Sequence, residues 1–210
     1  MNTSAVMAPS ATANPASRAS HVAPELVVAT QEVLLQGLSL LFELSDRTYC
    51  QLVEARGRSI GEHYRHVVQH FECVIRSIRS GEINYEARER NHRLETDVTF
   101  AAIATCDVLR AIKKYDIATL NRACAVVSTL RGLASRPLFV ETTVGRELAY
   151  CIGNALHHYT NVRRICSQIG VEVPAEFAVA RSSGSTGIVV PGEAFQRSKT
   201  PVCYTPEAFP

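Results

Sequence analysis

Histidine is the commonest protein metal ligand and the side chain most easily titrated near neutral pH. Five of the seven in this chain fall in two short segments. His63, His66 and His70 lie in SIGEHYRHVVQHFECVI, and His157 and His158 lie in ELAYCIGNALHHYTNV. Both segments carry the apolar spacing of amphipathic helices. Two such helices can meet and build one site from facing side chains. At about 100° per residue, His63 and His70 fall roughly 60–80° from the centre of the first segment's apolar stripe, and His66 about 120°. In the second segment His158 lies about 80° off and Asn154 about 120°, while His157 points away from the core. Both polar clusters therefore flank a core seam, where a cleft between helices would be lined. Glu147, Cys151, Asn154 and His158 share one stripe, and His66, His70 and Cys73 share another.

The elements that must position these stripes follow from periodicity and punctuation. Residues 1–23 are small, polar and interrupted by proline, which predicts an unstructured leader. A helix is expected from about Pro24 to Val53, broken by Gly57. Ser59 with Glu62 makes a capping box for a second helix, with Ile60, Tyr64, Val67, Phe71, Val74 and Ile78 on its packing face, ending at Gly81. A charged link, INYEARERNHRLETD, leads to a third helix from about Val98 to Lys114. The segment RACAVVSTLRGLASRPLFVETT, with β-branched runs, Gly and Pro, predicts a long excursion carrying a short hairpin. Thr142 or Thr143 can cap the fourth helix, whose seam is Leu148, Ile152, Ala155, Tyr159, Val162, Cys166 and Ile169, with Gly170 as its stop. The expected fold is all-α: an up-down four-helix bundle over 24–180, with the excursion between its third and fourth helices. Residues 181–210, rich in Gly, Ser and Pro, are expected to form a flexible tail.

Composition bounds the function. The chain has 210 residues, 46% of them hydrophobic and 20% charged, with a formal net charge of +2. It offers no basic excess for nucleic acid or an anionic membrane surface, and no apolar run long enough to span a bilayer. The seven cysteines are scattered, with no Cys-x-x-Cys, which points to reduced thiols and a cytoplasmic protein. No Gly-rich phosphate loop, His-Glu-x-x-His or Gly-x-Ser-x-Gly is present. Glu89 and His92 form one Glu-x-x-His in the charged link, where a di-iron bundle would need two on helices.

Three segments together resemble the DinB/YfiT-like family of bacterial four-helix-bundle proteins: SIGEHYRHVVQHFE, the link INYEARERN followed by LETD, and RELAYCIGNALHHYTNVRRICSQIGVEVPAEFAVA. The resemblance covers roughly residues 25–180. It implies one divalent metal, zinc or nickel, held by a histidine of the second helix and a His-x-x-x-His pair of the fourth. Those positions fall on His66, on His158 and on Asn154, where the pattern wants His or Glu. Asparagine is a poor neutral ligand for such metals. His63, His70, Glu147 or Cys151 are the possible substitutes.

Two readings follow. In the first, as in relatives that are thiol-dependent transferases and isomerases, a metal at His66 and His158 activates a low-molecular-weight thiol. Tyr85, Arg88 and Arg90 would then hold an anionic group of a small-molecule substrate. In the second, the metal site is degenerate and the bundle is non-catalytic, a stress-associated or partner-binding homodimer.

Overall fold

Helical phase becomes tertiary contact in the computed structural model of the chain, which describes residues 15–53, 57–129 and 136–179, with residues 15–24 as backbone only. Its helices are α1 (Pro15–Leu41), α2 (Asp46–Cys50), α3 (Ile60–Ser80), α4 (Arg93–Thr96), α5 (Val98–Ile112), α6 (Ile117–Leu120) and α7 (Val144–Ile169). Its strands are β1 (Glu82–Ile83), β2 (Ala123–Ser128) and β3 (Leu138–Thr143). The long helices pack in pairs: α3 against α5 and α7, and α1 against the same two.

The start of α1 corrects the expected leader. Residues 15–23 are helical, because Pro15 at the first helical position and the Ala- and Ser-rich turns after it suit a helix start better than their low hydrophobicity suggested. Residues 1–14 and the expected tail 181–210 lie outside the described residues. The first helix also ends early. Glu43 and Leu44 donate to the carbonyls three residues back, which tightens the chain into a turn. Ser45 then accepts from the Thr48 amide and starts α2 afresh.

The capping box that opens α3 is complete: Ser59 Oγ accepts from the Glu62 amide at 3.2 Å, and Glu62 Oε2 accepts from the Ser59 amide at 3.1 Å. Gly81, at φ 75°, closes the helix in a left-handed conformation that costs glycine nothing. Ile60, Tyr64, Val67, Phe71 and Val74 are buried as spaced. Across from them, Leu148, Ala155, Tyr159, Val162 and Cys166 of α7 are buried too. Fully burying a side chain such as Phe71 contributes about 1.5–3 kcal/mol, so this seam fixes the rotation of both helices and with it the direction of every histidine.

Two close approaches lock α3 in place. Gly61 sits against the Glu95 carbonyl and the Tyr49 ring, and Tyr64 donates to the Gly37 carbonyl at 2.7 Å.

The excursion is a hairpin, β2 paired antiparallel with β3 from Ala123–Thr143 to Ser128–Leu138. The chain is mostly helical as expected, but a third strand extends the hairpin: β1 runs parallel to β2, giving a three-stranded sheet. Two residues are too few to show alternation in a sequence. The burial of Ile83 and the bond from the Ala125 amide to the Gly81 carbonyl hold the strand in place. No helix among the described residues is long and apolar enough to cross a membrane.

Candidate functional site

Helices α3 and α7 bring four of the five clustered histidines into a continuous polar seam, and it divides into two groups. In the first, His63 and His158 place their Nδ1 atoms 2.9 Å apart. Imidazole nitrogens so close share one proton, one ring donating and the other accepting, so the two rings cannot both be charged. His66 stacks on His158 with ring centroids 5.1 Å apart and planes within 4°. The lone pair on His66 Nε2 accepts from Arg58 Nη1 at 3.0 Å and Arg65 Nη2 at 3.1 Å. Guanidinium can only donate, so the ring proton of His66 is on Nδ1.

Burial is the main reason these rings stay neutral. It lowers His63 and His70 to about 4, and His66 and His158 to about 3. Arg58 lowers His63 further, and Arg65 and Arg58 lower His66.

The second group lies one turn along. His70 stacks on Tyr85, centroids 5.1 Å apart. Its Nδ1 is 2.6 Å from both the His66 carbonyl and Arg88 Nη1, and one nitrogen can donate to the first or accept from the second, not both. Tyr85 donates to Glu147 Oε2 at 3.0 Å, with Cys151 Sγ at 3.8 Å from the same hydroxyl. The Glu147 carboxylate, 1% exposed, also accepts from Thr142 Oγ1 at 2.9 Å and Arg146 Nη1 at 2.5 Å. Burial pushes the Cys151 thiol up to about 12, so it is protonated at neutral pH and a weak nucleophile or ligand.

All the residues singled out by sequence except Arg90 are thus near the seam, in different company. His66 and His158 meet face to face, and His63 joins them. Asn154 leaves its buried Nδ2 without a hydrogen-bond partner. Glu147 and Cys151 sit with Tyr85 in the second group, where Tyr85, Thr142 and Arg146 occupy the carboxylate. Arg88 reaches His70 and donates to the Tyr85 carbonyl at 2.6 Å. Arg90 is turned elsewhere: it grips the buried Glu95 carboxylate through Nε and Nη2 at 2.9 and 2.8 Å and reaches Glu62 at 3.4 Å. Arg65 pairs with Glu95 as well. Burial alone would raise the Glu95 carboxyl, but Arg90 and Arg65 hold it below its ordinary value.

His157, which helical phase sets aside, is exposed yet packs edge-on against His158 and lines a cavity there. Arg58, Arg65 and Arg164 were not singled out at all. A signal for Arg164 existed: His157, Asn161, Arg164 and Gln168 recur at helical spacing along one face of α7.

A resident divalent ion needs several lone pairs converging on one point. The first group supplies neutral imidazoles, but the His66 lone pair is already covered by two cationic guanidiniums, of which Arg65 is paired with Glu95 and Arg58 has no carboxylate partner among the described residues. No set of three or more His, Cys, Asp or Glu among the described residues is placed to hold one ion. The donor set does not fit the metal that the resemblance implies.

Comparison with known proteins shows the fold. The chain superposes on the crystal structure of a DinB-like protein from Bacillus subtilis with a TM-score of 0.52 and 18% identity, covering 71% of this chain and 96% of that one. The DinB-like fold is shown; at that identity the likeness carries nothing beyond fold. Over 101 residues, 48% of the chain, it is 30% identical to a protein named FK506-binding protein 5 from Rhizopus delemar. The chain spans 26% of that relative's length. No family model matches the sequence.

Proposed function

We propose that this protein is an up-down four-helix bundle of DinB-like fold whose α3–α7 cleft binds a small polar molecule without a resident divalent metal. The observation that carries this reading is the pair of arginines on His66. The nitrogen at the implied ligand position accepts from Arg58 at 3.0 Å and from Arg65 at 3.1 Å. A divalent ion there would have to displace two guanidiniums and sit beside their charge, in a site where burial strengthens like-charge repulsion. Asn154 at the third position adds a neutral donor group where an anionic or imidazole ligand is wanted.

What remains is a recognition surface. Neutral imidazoles, each able to donate and accept once, line a cleft with arginines at its rim. Such a constellation orients a polar ligand by hydrogen bonds and charge. The metal-dependent thiol transferase implied by the sequence resemblance would need His66 freed from both arginines, and no catalytic step is derived for it. The matched part of the Rhizopus protein adds no ligand argument, because the name describes a chain of which only a quarter is aligned.

Metal analysis of untagged protein purified without chelator tests the reading, together with calorimetric titration by Zn²⁺ and Ni²⁺. Substoichiometric metal and weak binding, unchanged in H66A and H158A, are expected. One tightly held ion per chain, lost in either variant, would overturn it.

A further inference from the structure

We propose that the cavity at the N-terminal end of α3 is an oxyanion site, seating the phosphate or carboxylate group of a small molecule between Arg58 and Arg164. The proposal rests on the metal-independent reading above and names the class of ligand that reading leaves open. The cavity has a volume of about 290 Å³, at the lower end of the range for small-molecule sites. Arg58 and Arg164 stand at its rim, with His63, His158, Asn161 and Gln168 as further polar lining.

Charge makes the argument. Among the described residues the lining contains two guanidiniums and no Asp or Glu. Several other arginines end on acids, Arg65 and Arg90 on Glu95, Arg93 on Asp97, Arg110 on Asp107 and Arg146 on Glu147, while Arg88 and Arg163 are held by carbonyls outside this cavity. Arg58 ends instead on the neutral ring of His66, and no carboxylate among the described residues compensates its charge. Arg164 has no carboxylate partner among the described residues, and its charge reaches His63. Guanidinium is the side chain best matched to the planar or tetrahedral oxygens of carboxylate and phosphate, through two parallel N–H bonds.

The rest of the lining suits the same ligand. Asn161 and Gln168 can donate through their amides, and the imidazoles can donate to or accept from a group seated beneath the arginines. Val53 and Ile165 contribute apolar wall, which would receive the carbon body of the molecule. An anion here would draw Arg58 from His66 without any change in the helices, because the arginine lies just ahead of the Ser59 cap and is exposed.

The test uses the full chain in phosphate-free buffer at constant ionic strength with chelator present. Inorganic phosphate, phenyl phosphate and benzoate are titrated separately, followed by calorimetry and by imidazole NMR. Saturable binding by phosphate or phenyl phosphate that perturbs His63 and His158 is expected, weakened about tenfold or more in R164Q and in R58Q, since each removes a charge-assisted bond. R164K should retain more affinity than R164Q. Binding by benzoate alone, with the same arginine dependence, would support the site and identify carboxylate as its group. No saturable binding by any probe up to about 10 mM, or equal binding in both glutamine variants, would overturn the proposal. Zn²⁺ titrated into parallel chelator-free samples reports separately: stoichiometric uptake lost in H66A overturns the metal-independent reading, whereas absent oxyanion binding removes the anion site alone.

Discussion

Acidification should destabilise this protein well above the range in which its carboxylates protonate, and the His63–His158 pair should account for much of the loss. Each ring is 8% exposed. In the unfolded chain each titrates near 6.5, whereas in the folded protein His63 is lowered to about 4 and His158 to about 3, mainly by burial. Between those values the unfolded state takes up protons that the native state refuses, so stability falls as pH drops below about 6.5. Integrating that difference from pH 7.5 to pH 5 gives a loss of about 2 kcal/mol for each imidazole acting alone.

The two rings share one hydrogen bond, so together they should cost about 2–4 kcal/mol, out of the 5–15 kcal/mol typical of a domain. Urea denaturation at the two pH values, with chelator throughout, measures the difference directly. In H63L/H158L the drop should shrink by that amount, leaving the share of His66 and His70. A wild-type unfolding free energy at pH 5 equal to that at pH 7.5 would exclude this proton linkage. So would a double variant that retains the full drop.

Four further outcomes are expected. Replacing Glu147 by Ala strands the Tyr85 and Thr142 hydroxyls and should cost about 2–3 kcal/mol by urea denaturation, less for Gln, with Tyr85→Phe near 1 kcal/mol; Arg146 is 71% exposed and regains water. Gly61→Ala would drive a methyl group into the Glu95 carbonyl and to 2.8 Å from the Tyr49 ring, lowering stability by about 1–3 kcal/mol. Gly153→Ala in α7, where a methyl group would meet nothing within 4 Å, should raise it by about 0.5–1 kcal/mol; thermal melts of the two variants check both signs. Cys151, fully buried and with its thiol raised to about 12, should resist alkylation at pH 8 in the native protein and react on unfolding, as peptide mass mapping would show.

The helices were legible because their evidence is local and repeated. Ser59 and Glu62 announce the start of α3, Gly81 and Gly170 the two C-termini, and the four-and-three spacing from Ile60 to Val74 the buried face. The strand β1 was not, because Glu82 and Ile83 are ordered by a partner some forty residues away. The break after Leu41 was hidden for a related reason: the apolar spacing continues through Tyr49, and a turn with a new Ser45 cap reads much like more helix.

At the site, phase put His63, His66 and His158 on a common seam but could not supply what lies across it. Arg65 follows its helix position, whereas Arg58 reaches His66 from ahead of the cap. Side chains that long are placed by their partners rather than by periodicity. Arg90 shows the same limit in reverse, since its charge was read as available and the buried carboxylate of Glu95 has taken it.

Arg58 and Arg65 fill the lone pair of His66 at 3.0 and 3.1 Å, the position at which a resident metal ion would bind. Long-range ¹H–¹⁵N NMR of the imidazoles, assigned with H66A, reads that nitrogen directly. An accepting Nε2 and a protonated Nδ1 on His66, altered by R58Q and unmoved by one equivalent of Zn²⁺, are expected. A His66 Nε2 signal indifferent to R58Q, but shifted to a metal-bound position by that single equivalent, would contradict that arrangement.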